Sequence, residues 1–285
     1  TKIPIIYASD TTARLINTSY EKYMNRSKAY HQACDDIEKK ALSKCTYFLP
    51  SSKCAVDSAL NDYKVPANKI KLIEFGAHIT SDNAVGERSS PNKSNLELSL
   101  VAIDPIRKRL EFCIEVAESL KKRGWNVTLN YIGSKHPATK GKKIVNWHGR
   151  LQLSKETDRK VHQAILQRSH WMILPSKAEA FGIAPCEAAH FGRPSIVSDV
   201  GGLPTVVKHN ETGIVMPADA SADEYAAYIE EISSDEVKYQ AFSAAALERA
   251  QNTLSWSVWA SKVKELITEI VEQPVQPIHQ PTTES

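Results

Sequence analysis

The segment 175–194 reads Pro175-Ser-Lys-Ala-Glu179-Ala-Phe181-Gly182-Ile183-Ala-Pro-Cys-Glu187-Ala-Ala-His-Phe-Gly-Arg-Pro194. The apolar run Trp171–Leu174 leads into it and a second short apolar run, Ser195–Ser198, follows it. Two such runs, joined by a small-residue loop and a helical stretch at 184–190, read as one βαβ unit of a parallel sheet. A loop leaving a parallel strand lies at the carboxyl edge of the sheet, where open α/β folds bind ligands. Glu179 sits on that loop. Glu187, with seven residues between the two, sits on the helical stretch behind Phe181-Gly182.

The backbone amides that open this helical stretch point to the same edge, and a helix start suits phosphate. Two carboxylates beside an anion site have a purpose if the ligand also offers hydroxyls for them to accept from. A sugar nucleotide is such a ligand. Judged by spacing alone, Glu179 and Glu187 are equally two solvated acids, the usual fate of Glu. The apolar strand before them and Phe181-Gly182 between them, where glycine allows close backbone approach, favour a site.

Outward from this segment, strands and helices alternate. Strands are expected at 98–103, 127–132, 144–147 and Gly213–Met216, with helices at 110–121 and 156–167. Leu110, Cys113, Ile114, Ala117 and Leu120 share one helical face. The alternation means parallel βαβ units in a doubly wound α/β sheet. Upstream lie a strand at 3–8, a helix at 34–45, a short strand at 47–49 and a strand at 70–75 closing on Gly76. Residues 80–95 are polar, rich in Ser, Asn and Gly, and contain Pro91, so a linker is expected there. The expected division is a first unit at 1–80, a linker at 81–95, a second unit at 96–255 and a final helix at 256–272. A tail at 273–285, with three prolines, is expected to be disordered.

With 42% hydrophobic and 24% charged residues among 285, the composition is that of a soluble globular protein. A net charge of +3 does not call for nucleic acid. No apolar run approaches the roughly 20 residues of a membrane helix. Cys34, Cys45, Cys54, Cys113 and Cys186 are odd in number and form no Cys-x-x-Cys pair, so they are expected to be reduced packing residues of a cytoplasmic protein. The nine histidines are scattered, and no metal or cofactor is assigned.

Three further stretches carry candidate chemistry. Asp104-Pro-Ile-Arg107-Lys108 follows the strand at 98–103, where Arg107 and Lys108 suit a diphosphate, although a solvated turn explains them too. Val200-Gly201-Gly202-Leu203-Pro204 follows the strand at 195–198, and its glycines would let the main chain approach a ligand, or simply form a turn. His148-Gly149-Arg150 ends another strand; it suits a nucleobase pocket or a plain glycine turn equally.

Together, Glu179-Ala-Phe181-Gly182, Glu187-Ala188, Gly192-Arg193-Pro194, Gly201-Gly202-Leu203-Pro204 and Thr212-Gly213 resemble the retaining glycosyltransferases of family 4, which have the GT-B fold. Ser9-Asp-Thr-Thr12 and Phe75-Gly-Ala-His78 resemble the last third of that family's N-terminal domain and its crossing strand. The resemblance runs from Ile3 to about Ile270. It implies an enzyme that transfers a hexose-type sugar from a UDP-, GDP- or ADP-sugar to a saccharide or lipid-linked acceptor. It further implies that Glu179 is the catalytic glutamate facing the transferred sugar and that Glu187 binds the donor ribose. Phe181, Gly182 and Ile183 would contact sugar and phosphate, and Lys108 would hold the diphosphate. Where the family usually has Gly-Arg this chain has Ala102-Ile103, and Arg107 is the cation at hand to replace the missing one. Thr205 stands where a Glu often follows Gly-Gly-x-Pro. By analogy the chain begins partway through the acceptor-side domain, so residues 1–285 alone are expected to bind donor weakly and transfer no sugar. Peripheral membrane contact would lie in the absent part. A GT-B nucleotide-sugar epimerase and an inactive donor-binding subunit share the same residues and stay open as alternatives.

Overall fold

Leu96, Leu98, Leu100 and Ala102 are all fully buried along one strand, β3 (Leu96–Ala102), and this strand organises the larger half of the molecule. The computed structural model describes residues 3–79 and 89–272. β3 pairs on one side with β4 (Val127–Gly133), which pairs with β5 (Val145–Trp147). On the other side it pairs with β6 (Trp171–Leu174), followed by β7 (Ser195–Ser198) and β8 (Gly213–Met216). All five pairings are parallel, in the order β5-β4-β3-β6-β7-β8. The chain starts in the middle and winds outward twice. This is the doubly wound arrangement, and its order reverses between β3 and β6, where such sheets bind ligands.

Helices cover the sheet as parallel pairing requires. α5 (Leu110–Lys122) packs on α9 (Ala222–Ser233) through an edge-on contact of Phe112 with Tyr225. α6 (Glu156–Arg168) and α7 (Ile183–His190) meet over β6 through Leu166, Met172, Ala184 and Ala188. Ala189 of α7 meets Ala246 and Ala250 of α10 (Glu236–Asn252), and small residues there let the two helices approach closely. Trp171 is fully buried, and its indole N–H donates to Ser233 Oγ at 3.0 Å.

The first unit holds β1 (Ile6–Ser9) and β2 (Tyr47–Pro50), paired in parallel. Between them run α1 (Ala13–Ser19), α2 (Glu21–Met24) and α3 (Lys28–Lys44), and after them α4 (Lys53–Asn61). α3 begins six residues earlier than the sequence pattern suggested, because Ser27 Oγ accepts from Tyr30 N and caps it. The expected strand at 70–75 is realised only at its start. Ile70 bridges Phe48, and the amides of Lys71 and Ile73 donate to Phe48 O and Pro50 O, but no strand continues. The chain is drawn off toward the second unit, where Glu74 faces Arg249 at 3.8 Å and Phe75 stacks on Trp256 at 5.3 Å. The central part of the expected linker, residues 80–88, and the expected tail, residues 273–285, lie outside the described residues.

Further contacts tie the units. α11 (Trp256–Glu272) returns to the first unit, where Tyr47 Oη donates to Glu269 Oε1 at 2.8 Å. Gly76 lies so close to α11 that a Cβ there would stand 2.2 Å from Trp256 N. Ser52 leaves the start of α4 without a side-chain cap, and Thr205, from the second unit, accepts from Lys53 N at 2.9 Å.

Gly76→Ala should therefore cost about 1–3 kcal/mol of stability, since rigid backbone must move to admit one methyl. An unchanged urea midpoint would show that the junction yields freely. A second expectation concerns His170, whose Nδ1 accepts from Glu97 N at 2.9 Å. Burial, with the Arg193 charge second, pushes its pKa down to about 4. Between about pH 6.5 and 4 the unfolded chain takes up a proton that the folded chain refuses, so folding stability falls as pH falls through that window. Unfolding at pH 7.5 and 4.5 should show a loss about 2 kcal/mol smaller in His170→Asn than in wild type. Parallel losses in both proteins would disprove it.

Candidate functional site

The loop from β6 to α7 is held by its neighbours at nearly every residue. Ser198 Oγ donates to Ser176 O at 2.6 Å, Lys177 N donates to Arg107 O at 2.8 Å, and Arg107 Nη1 donates to Ala178 O at 2.5 Å. Gly202 N donates to Glu179 O at 3.1 Å. The glycine pair is required for loop-to-loop packing. A Cβ on Gly201, whose φ is +53°, would stand 1.7 Å from Glu179 O, and one on Gly202 would stand 2.3 Å from Ala180 O. The sequence suggested that these glycines bring main chain to a ligand; instead they bring it to the Glu179 loop. Gly201 faces a separate recess shared with Lys53, Glu74 and Asp199.

Glu179 sits at the centre of a charge cluster. Its Oε1 lies 3.2 Å from Arg107 Nη1 and 3.1 Å from Lys108 Nζ. The turn after β3 delivers both cations. Asp104 Oδ1 accepts from Arg107 N, Asp104 O accepts from Lys108 N, and Arg109 takes a left-handed φ of 54° before α5 starts. A non-glycine residue in that region stores strain, which is common beside functional sites. Arg107 also lies over the Tyr20 ring at 5.4 Å.

The first unit supplies the facing wall. Asp10, at the end of β1, has its pKa raised by burial and then by the negative charge of Glu179. Tyr20 is pushed up to about 12, again by burial first and Glu179 next. Phe75 contacts Phe181 edge-on at 5.8 Å. These groups, with His78, close a cavity of about 400 Å³. Its far side consists of Lys108, Ile103, Arg150, Leu151 and the residues 179–184.

α7 points its start into this cavity. Gly182 has φ +119°, and a Cβ there would meet Leu203 Cδ2 at 2.8 Å. Glu187, one turn into α7, is 3% exposed yet lines the cavity. Its Oε2 lies 3.2 Å from Nε2 of His162, an equally buried residue of α6.

The structure thus brings Lys108, Arg150, Phe181, Gly182, Ile183, Glu179 and Glu187 to one cavity, with Arg107 bound to Glu179 at its border. Ile103 is 58% exposed there, an apolar side chain where the resemblance placed a cation. Thr205 faces away and caps α4. Among the described residues no group of three or more His, Cys, Asp and Glu is placed to hold a metal ion. All five cysteines are free.

Tyr20 and His162 were not singled out in the sequence, while Asp10 and His78 entered only within the stretches 9–12 and 75–78, with no role given to either. His162 had a usable signal: it shares the buried face of α6 with Ile165 and Leu166, at helical spacing. Tyr20 carried none. Chemically, the cavity offers two cations and a helix start to an anion, and two carboxylates to hydroxyl groups.

Comparison with known proteins bears on the fold and the family. The chain is 28% identical over 116 residues to D-inositol 3-phosphate glycosyltransferase of Corynebacterium aurimucosum, covering 41% of this chain and 27% of that protein. The matched part therefore spans only about a quarter of that relative. Sucrose-phosphate synthase from Thermosynechococcus elongatus superposes with a TM-score of 0.67 at 18% identity, covering 95% of this chain and 69% of that one. Anabaena HepE, solved in complex with UDP and glucose, superposes with a TM-score of 0.65 at 15% identity, covering 93% and 71%. At these identities the likeness concerns the fold, which is the GT-B arrangement. The model of the Glycosyl transferases group 1 family matches residues 85–249 of the 285, more than half of the sequence, and the chain belongs to that family.

Proposed function

We propose that this chain carries the donor site of a retaining glycosyltransferase of family 4, which moves a hexose-type sugar from a nucleoside-diphosphate sugar to a saccharide or lipid-linked acceptor. The observation that carries it is the union of Lys108, Arg107 and Glu179 with the start of α7 and the buried Glu187 around one cavity. A nucleoside diphosphate needs cations and amides at its phosphates and acceptors at its ribose. In this assignment residues 96–255 form the donor-binding unit, and residues 1–80 form the end of an acceptor-side unit on which α11 packs.

Lys108 and Arg107 hold the diphosphate and neutralise the charge that grows on it as the glycosidic bond breaks. Glu187 accepts from the ribose hydroxyls, and Arg150 lies toward the nucleobase. Glu179, which pairs with both cations, accepts from hydroxyls of the transferred sugar once phosphate takes over the cations. The transfer is front-face, with the departing diphosphate assisting deprotonation of the acceptor hydroxyl and the anomeric configuration retained. HepE, solved with UDP and glucose, supports a UDP-sugar as the first donor to try.

Screening the intact protein with UDP-, GDP- and ADP-sugars should reveal one that binds and turns over. In Glu187→Ala, its affinity should fall by about ten- to a hundredfold, the worth of charged hydrogen bonds of roughly 1.5–3 kcal/mol. Calorimetry showing wild-type affinity in the folded variant would remove Glu187 from the site. Lys108→Ala should weaken the nucleoside diphosphate by about tenfold or more while sparing the free nucleoside, and Lys108→Ala with Arg107→Ala should be worse than either alone. Equal losses for the two ligands would assign Lys108 a structural role.

A further inference from the structure

His162 has a polar atom at the cavity with no partner. The residue is 2% exposed on α6, and Nε2 has no hydrogen-bond partner among the described residues. The Glu187 carboxylate oxygen lies only 3.2 Å away, but off the line that a hydrogen bond requires. Several other buried side-chain atoms lack partners among the described residues, including those of His170, His190, Arg193 and Tyr225. None of those residues lines the cavity, whereas His162 does. A buried donor left unpaired costs free energy, so one that faces a binding cavity is most simply completed by what enters it.

The nearby carboxylate also favours one tautomer. A bare Nε2 lone pair 3.2 Å from carboxylate charge is repelled, so the form with hydrogen on Nε2 is preferred. The pair then presents one donor and one acceptor, side by side, to a single point. A hydroxyl is the group that answers both, since its oxygen accepts while its hydrogen is donated. An ammonium or a bare carbonyl satisfies only one of the two.

Given nucleotide-sugar binding as above, we propose that His162 is a specificity-determining residue. Its Nε2–H and Glu187 Oε2 clamp one ribose hydroxyl of the donor, which accepts from His162 and donates to Glu187. Glu187 Oε1 remains for the neighbouring hydroxyl. The clamp makes the site selective for a ribonucleotide over its deoxy counterpart, because removing the hydroxyl strands two buried groups at once.

The test uses the full-length protein and calorimetry with UDP, GDP and ADP. The tightest binder is then compared with its 2′-deoxy and 3′-deoxy forms. Wild type should prefer the ribonucleotide to one of these by about tenfold or more. His162→Leu should lower ribonucleotide affinity about five- to tenfold and leave that deoxy form within about twofold, so that selectivity collapses. His162→Gln, which keeps an N–H of similar reach, should retain most of the selectivity. If the leucine variant does not fold, His162→Asn, whose shorter amide stops short of the cavity, gives the same readout. Equal losses for ribo and deoxy ligands, or wild-type selectivity in His162→Leu and His162→Asn, overturn the clamp. If Glu187→Ala still loses affinity in that case, the donor-site reading survives without it. Failure of every nucleoside diphosphate to bind wild type overturns both.

Discussion

Everything at the site hangs on a contact between two stretches of backbone. Gly201 and Gly202, after β7, lie against the carbonyls of Glu179 and Ala180, after β6, with no room for a side chain between them. Adjacent parallel strands end at adjacent loops, and here those loops are fused by close packing and by the bond from Gly202 N to Glu179 O. The position of Glu179 is thus set by the sheet register, Ile173 beside Ile196 and Leu174 beside Val197, and not by the loop's own preferences. A loop of small residues would otherwise sample many shapes. Pinned in this way it can hold a carboxylate against two cations without spending ligand-binding energy on its own ordering.

The electrostatics follow from that position. Glu179 is close enough to Lys108 and Arg107 to balance them in part, and close enough to Asp10 and Tyr20 to oppose their ionisation. The cavity therefore carries its cations on the second unit, while ionisation of Asp10 and Tyr20 on the first is opposed. An incoming diphosphate would meet cations already desolvated and oriented, a condition under which charge-assisted hydrogen bonds are strong.

The second unit was legible in the sequence because its signals are local and repeated. Short apolar runs such as Trp171–Leu174 and Ser195–Ser198 can be little else than buried parallel strands, and the one-faced pattern Leu110, Cys113, Ile114, Ala117, Leu120 can only be a covering helix. The meeting of Lys108 with Glu179 was legible only through the family resemblance, since β3 and β6 are neighbours in the sheet but far apart in the chain. What stayed hidden depends on tertiary contacts. Residues 70–75 have the composition of a strand, yet Glu74 and Phe75 are claimed by Arg249 and Trp256. Gly201-Gly202 stood open between a ligand contact and a plain turn, because a glycine reports that something comes near and does not report what; here the Glu179 loop comes near. In the sequence His162 shows only as part of a helix's buried face and Asp10 only as a residue after a strand, and only the folded chain places them in the cavity.

The junction at Gly76 has a mechanical meaning. The chain leaves the first unit at this residue and the final helix comes back at Trp256, so the outgoing and returning segments run side by side: Phe75 and His78 both stack on Trp256, and Ala77 N donates to Leu254 O. Phe75 also reaches Phe181 with an edge. Backbone packed on backbone leaves no soft side chain to absorb a shift, so a rotation of one unit against the other would be resisted here. Asp10 and Tyr20 belong to the first unit, and Lys108 and Glu187 to the second. The spacing of the two cavity walls is thus one that this packed junction helps to fix.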